Sequence, residues 1–169
     1  MLRPIVRYGS AVLQTAAAPV QAFDAELQTL VDDMVATMYA APGVGLAAPQ
    51  VGVPLRLSVI DISIGKRSGE LLVLANPEFL EREGMQLEEE GCLSLPGFTA
   101  TVARPARVVV RYQDRTGETR TMEGTGLLAR AFQHEIDHLN GGLFIDHLRG
   151  LKREMILRKI RKLQRAGRW

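Results

Sequence analysis

Apolar residues first recur at helical spacing after Asp24, at Leu27, Leu30, Val31, Met34, Val35 and Met38. With Asp24 as N-cap, this spacing predicts a helix from about Ala25 to Tyr39, stopped by Pro42-Gly43. The stretch Gly43-Val-Gly-Leu-Ala-Ala-Pro-Gln50-Val-Gly52 holds too much glycine and proline for a regular element. It reads as an ordered loop whose glycines let backbone approach a ligand closely. Three short β-branched or aliphatic runs, Leu57–Ile62, Leu71–Ala75 and Arg107–Tyr112, are bounded by turn residues and predict strands. Asp114-Arg-Thr-Gly117 predicts a hairpin turn into a further strand, Glu118–Met122. Thr125 is expected to cap a second helix, Gly126 to about Leu139, ended by Asn140-Gly-Gly142. A last helix is expected from about Leu151 to Gln164. Helices bracketing short, antiparallel strands argue for an α+β fold, with antiparallel sheets around the second helix.

That second helix carries the chemistry. On a wheel, Leu127, Leu128, Ala131, Phe132, Ile136 and Leu139 cover about half of it. His134 and His138, one turn apart, stand together at the edge of this stripe, where two ring nitrogens can share a metal ion. Glu135 falls inside the stripe, and a carboxylate on a buried face is costly unless something uses or pairs it. Arg130, Gln133 and Asp137 fall on the other side, with Asp137 expected to orient a neighbour. The bland alternative is a half-buried helix with two satisfied histidines and an exposed acid.

Two histidines leave a catalytic metal short of a third protein ligand. His147 follows closely behind the helix and reads as structural. Cys92 is the chain's one cysteine, so no intramolecular disulfide forms and a reducing, cytoplasmic setting is expected. A lone cysteine is by default a small buried hydrophobe. Its setting in Glu90-Gly-Cys-Leu-Ser-Leu-Pro96 instead suggests a shaped loop, and Cys-His-His is a known catalytic ligand set.

Length and charge refine this picture. The 169 residues suit one compact unit with a real core. No apolar run approaches a membrane span, and no secretory signal is evident. Residues 149–169 hold nine Lys or Arg and one acid, Glu154, leaving twelve basic and eighteen acidic residues elsewhere, a net of −6. The expected division is therefore a catalytic domain over residues 1–148 and a basic helical segment over 149–169, packed on it or extending from it. A basic tail on an acidic body points to an anionic partner. Its apolar stripe is read as Met155, Ile156, Ile160 and Leu163, with Lys152 and Lys159 intruding on it. The competing reading is a solvated helix docked by its first turns.

Taken together, Gly43-Val-Gly-Leu-Ala-Ala-Pro-Gln50, Glu90-Gly-Cys-Leu-Ser94 and Gln133-His-Glu-Ile-Asp-His138 resemble, in order and spacing, the three signature motifs of the peptide deformylases. The resemblance spans essentially the whole chain. It implies hydrolytic removal of formyl from N-formylmethionyl peptides, with Cys92, His134 and His138 as metal ligands and Glu135 as general base and acid. Gln50 and the Leu93 N–H would stabilise the oxyanion. Gly43, Val44, Gly45 and Leu127 would bind substrate, Val44 and Leu127 lining the methionine slot. Glu90 would pair with Arg104. The implied metal is one divalent ion: Fe(II) in cells, with Zn(II), Ni(II) or Co(II) in isolated protein. Implied partners are formylmethionyl nascent peptides and, through the last helix, the ribosome, with no membrane or DNA. Gly97-Phe-Thr-Ala100 departs from the more polar, arginine-bearing stretch of better-known bacterial members, which leaves preference beyond the first substrate residue open. Two other classes stay in view: an HExxH metallopeptidase with His147 as third ligand, and a ribosome-associated module without turnover.

Overall fold

The computed structural model describes residues 1–169. In chain order the elements are α1 (Ala25–Ala40), β1 (Gly45–Ala47), β2 (Leu57–Ile60), β3 (Leu72–Glu83), β4 (Gln86–Gly91), β5 (Thr99–Arg104), β6 (Arg107–Gln113), β7 (Thr119–Thr125), α2 (Gly126–Leu139) and α3 (Leu151–Arg165). All strand pairs are antiparallel. They form a five-stranded sheet ordered β1-β2-β3-β6-β7 and a separate β4-β5 hairpin. The α+β expectation is met.

The start of α1 follows local chemistry. Asp24 Oδ1 accepts from the Leu27 N–H at 3.0 Å, capping α1. The apolar face of α1 buries Val31, Met34 and Met38 against Leu46, Leu57 and Val59 of the sheet. Thr125 precedes α2 in extended conformation, but its side chain makes no capping hydrogen bond, contrary to expectation.

The strands depart from expectation in two places. The run beginning at Leu71 continues to Glu83 as a bent strand. Its register against β6 shifts at Asn76-Pro77, where proline has no N–H to give the ladder. Asn76 takes a positive φ of 50° there. Its side-chain amide bonds both the N–H and the C=O of Val20, which holds the bend. The second departure is the β4-β5 hairpin itself. Gln86-Leu-Glu-Glu-Glu-Gly91 has no apolar alternation, and β5 alternates only in burial, hiding Ala100, Val102 and Arg104. The glycine-rich segment read as a loop also contains β1 and a single 3₁₀ turn, Ala48–Val51.

Helix α2 lies between the large sheet and this hairpin, and both its sides are covered. Ala129, Phe132 and Ile136 pack with Leu74, Val108 and Val110 of the sheet. Arg130 and Gln133, on the side of α2 away from its apolar stripe, are buried too, because the hairpin closes over them. A third apolar cluster joins β5 and the Phe144–His147 turn to α3 through Val102, Phe144, Ile156, Leu157 and Ile160. The docking face of α3 is thus Ile156-Leu157-Ile160. Met155 is exposed, as are Lys152 and Lys159, so no lysine interrupts the buried stripe.

Phe132 is fully buried where α2 meets the sheet. Phe132→Ala is expected to lower unfolding free energy by about 3–5 kcal/mol, measured by urea denaturation at fixed metal content.

Candidate metal centre and active site

Two turns of α2 bring His134 and His138 together, and the loop after β4 brings Cys92 to them. The Cys92 Sγ lies 3.3 Å from His138 Nε2, which lies 3.2 Å from His134 Nε2. These three donor atoms all fall within 4.8 Å of one another. Residues separated in sequence by more than forty positions therefore present sulfur and two imidazole nitrogens to one point.

The tautomer of His134 is set by its neighbour. Its Nδ1 lies 2.7 Å from Glu90 Oε2, and an ionised carboxylate can only accept, so Nδ1 carries the proton and Nε2 offers its lone pair. Glu90 is 6% exposed and receives three further bonds: from Arg104 Nε at 2.8 Å, Arg104 Nη2 at 2.6 Å and Arg130 Nη1 at 2.8 Å. Burial opposes its charge, yet the bonds from His134 and Arg104 hold it well below the usual carboxylate range. The expected Glu90–Arg104 pair is present, and Arg130 joins it. Arg104 also reaches Asp137 Oδ2 at 3.0 Å, and His147 Nε2 binds the same oxygen at 2.7 Å. Asp137 thus orients neighbours, and His147 points to it rather than joining the ligand cluster.

The donor chemistry fits a divalent cation at this point. The donor set of one sulfur and two imidazoles is chemically suited to one. Burial lowers both imidazoles, but bonds with Cys92 and Glu90 raise His134 well above the ordinary histidine value. His138, equally buried and beside His134, is driven well below it. His138 Nδ1 is buried without a partner.

Around these atoms lies a cavity of about 540 Å³, walled by Gly43, Val44, Gly45, Gln50, Leu93 and Leu127 along with Cys92, His134 and Glu135. Glu135 is 3% exposed, and its Oε1 has no hydrogen-bond partner. Burial pushes this carboxyl up to about 7. Its other oxygen lies against Gly45: a Cβ there would fall 2.5 Å from Oε2, so only glycine leaves room. The Gln50 side chain, 1% exposed, accepts the Ala47 N–H at Oε1 and turns Nε2 toward Ser94 Oγ at 3.1 Å and Cys92 Sγ at 3.6 Å. Ser94 was not singled out in the sequence, although it lies within the Cys92 motif. The Leu93 N–H makes no hydrogen bond within the chain.

Strand β1 is an edge strand. The Asp61 N–H donates to the Val44 carbonyl at 2.8 Å, so Val44 and Leu46 face β2. By alternation, the N–H and C=O of Gly45 face the cavity side, where no strand pairs with them.

A sequence profile of the polypeptide deformylases matches residues 2–154. The chain belongs to the polypeptide deformylase family. It is 56% identical to a peptide deformylase of Acidobacterium capsulatum, covering 100% of this chain and 99% of that one. Identity to the Mesorhizobium japonicum peptide deformylase is 50%, over 96% and 93% of the two chains. The crystal structure of a Legionella pneumophila peptide deformylase superposes with a TM-score of 0.92 at 50% identity, covering 99% of this chain and 98% of that one. The family is one of metal-dependent enzymes that remove formyl groups from polypeptides, and the Cys92-His134-His138 cluster is a possible site for the metal. No helix is long and apolar enough to cross a membrane.

Glu90→Gln puts an amide where His134 Nδ1 and two guanidinium groups now meet a carboxylate. Metal affinity is expected to fall about 10–100-fold, measured by competition with a chromogenic chelator.

Proposed function

We propose that the chain hydrolyses the formyl group from N-formylmethionine at the start of newly made polypeptides, in the cytoplasm, using Cys92, His134 and His138 to hold one divalent ion. The observation that carries this reading is the convergence of those three donor atoms on a cavity that also receives Glu135 and the Gln50 amide. Fe(II) is the proposed ion in cells, and Zn(II), Ni(II) or Co(II) suit the same donors in isolated protein. When bound, such an ion supplies Lewis acidity that brings water toward a neutral pKa.

The chain's own groups then divide the remaining work. Glu135, with Oε1 unpartnered, accepts the proton of the attacking water and later delivers it to the departing amine nitrogen. Its carboxyl, raised to about 7, sits where both transfers are feasible near neutrality. As the formyl carbon becomes tetrahedral, charge gathers on its oxygen. Gln50 Nε2 and the Leu93 N–H are the donors placed to receive it, Gln50 being held in orientation by the Ala47 N–H. The outward backbone of Gly45 adds the substrate as a strand beside β1, and Val44 and Leu127 supply an apolar slot for methionine. Gly43 keeps that wall thin, since a Cβ there would fall 2.9 Å from Leu93 Cδ1.

The peptidase alternative needs His147 as a ligand, but its ring is bonded to Asp137, away from the sulfur. For the basic helix, the proposal is contact with ribosomal RNA phosphates. Arg158, Lys159, Arg161, Lys162 and Arg165 all project outward from α3, whose apolar face is already docked.

A formate-release assay on a formyl-Met peptide tests the chemistry. Glu135→Gln is expected to lower kcat by about 10²–10⁴-fold with metal content unchanged. Gln50→Ala is expected to cost roughly 10²–10³-fold. Equal formate release by wild type and Glu135→Gln would remove Glu135 from the mechanism. Ribosome binding, followed by co-sedimentation, should weaken steeply as salt is raised, since phosphate contacts release counterions. Binding that is indifferent to salt would rule out the RNA contact.

A further inference from the structure

The chain's one tryptophan lies far from the metal ligands in sequence, yet it touches the cavity's wall. After α3 the backbone reverses at Gly167, where φ is 67°, and the Arg168 N–H returns to the Leu163 carbonyl at 2.9 Å. That reversal carries Trp169 back over the body. Its indole N–H donates to the Tyr8 carbonyl at 2.8 Å. Its ring meets Phe98 edge to face, with centroids 5.9 Å apart. The Arg7 guanidinium lies over the indole, 5.9 Å from its ring centroid.

Both contacts lead to the site. Phe98 walls the cavity. Its N–H donates to the Leu95 carbonyl, and the Leu95 N–H donates to the Cys92 carbonyl, so Phe98 and the cysteine belong to one folded turn. On the other arm, the Tyr8 N–H donates to the Ser94 carbonyl at 2.9 Å, and the Val6 N–H to the Gln50 carbonyl at 2.8 Å. The segment from Val6 to Tyr8 therefore bridges the two loops that carry Gln50 and Cys92, and Trp169 fastens that segment to Phe98.

We infer that Trp169 is a positioning residue for the peptide-binding cavity, acting through Phe98 and the Tyr8 segment to hold the wall formed by the loop after Cys92. This rests on the deformylase reading and adds a determinant of peptide affinity to it. Val44 and Leu127 are assigned to the first side chain, so Phe98 remains for the peptide beyond it. The direct contacts of Trp169 are to Phe98, Tyr8 and Arg7, none of them a hydrolytic group.

The test uses metal-loaded enzyme and formyl-Met-Ala-Ser. Trp169→Ala should raise KM roughly 3–10-fold, the scale of one lost aromatic pair, with kcat, metal content and Tm essentially unchanged. Trp169→Phe, which keeps an aromatic edge but lacks the indole N–H, should fall between. In a Phe98→Ala background the further change to Trp169→Ala should raise KM by less than it does in wild type. Binding of the product peptide Met-Ala-Ser should also alter the fluorescence of this single indole in wild type. An unchanged KM in Trp169→Ala, an increment undiminished by the loss of Phe98, or a fall in kcat that tracks lost metal or lower Tm overturns the inference. So does fluorescence indifferent to saturating product peptide. A wild type that releases no formate overturns the deformylase reading first, and this inference with it.

Discussion

The buried carboxylate of Glu90 is the contact on which the rest of the site depends. It receives bonds from two guanidinium groups and one imidazole, supplied by β5 and α2. A buried charge is tolerated only when such partners replace its lost water. Here the partners come from exactly the elements that must meet for a metal site to exist: the hairpin that leads to Cys92 and the helix that carries both histidines. Closing the hairpin onto the helix and aiming His134 at the cysteine are the same event.

Two glutamates on this scaffold have opposite fates for physical reasons. Glu90 is surrounded by donors and kept charged, which suits a group that must never let go of His134. Glu135, one residue after that histidine, is equally hidden but has an oxygen without any donor. Its carboxyl is raised toward neutrality and can exchange a proton. Environment divides one side-chain type between holding and reacting. The close approach of Gly45 to Glu135 shows how tightly this second carboxylate is confined.

Much of this was legible from residue order. The period of α1 and α2 and the burial of Glu135 follow from side-chain pattern, and the joining of Cys92 to the histidines was implied by the family resemblance. What escaped was set by partners distant in the chain. Strand β4 reads as a soluble acidic run because its inward positions satisfy Arg104 and Arg130 instead of packing against carbon. The burial of Arg130 and Gln133 was not legible either, because a wheel shows only the helix's own asymmetry, not a hairpin folded over its polar side. The docking face of α3 was misjudged for the same reason: Leu157 and not Met155 meets Phe144 and its neighbours. Trp169 gave no periodic or motif signal of its contacts, which arise only when the two ends of the chain meet beside the Cys92 loop.

The exposed margin of β1 carries a last implication. A ligand that joins a sheet there is gripped by main-chain atoms, which every polypeptide possesses in identical form, whatever its side chains. In the proposed reading the first side chain meets the slot of Val44 and Leu127, and Phe98 lies beyond it. Such a binding mode is indifferent to most of the message a polypeptide carries, and it suits a catalyst whose clients share a beginning and little else.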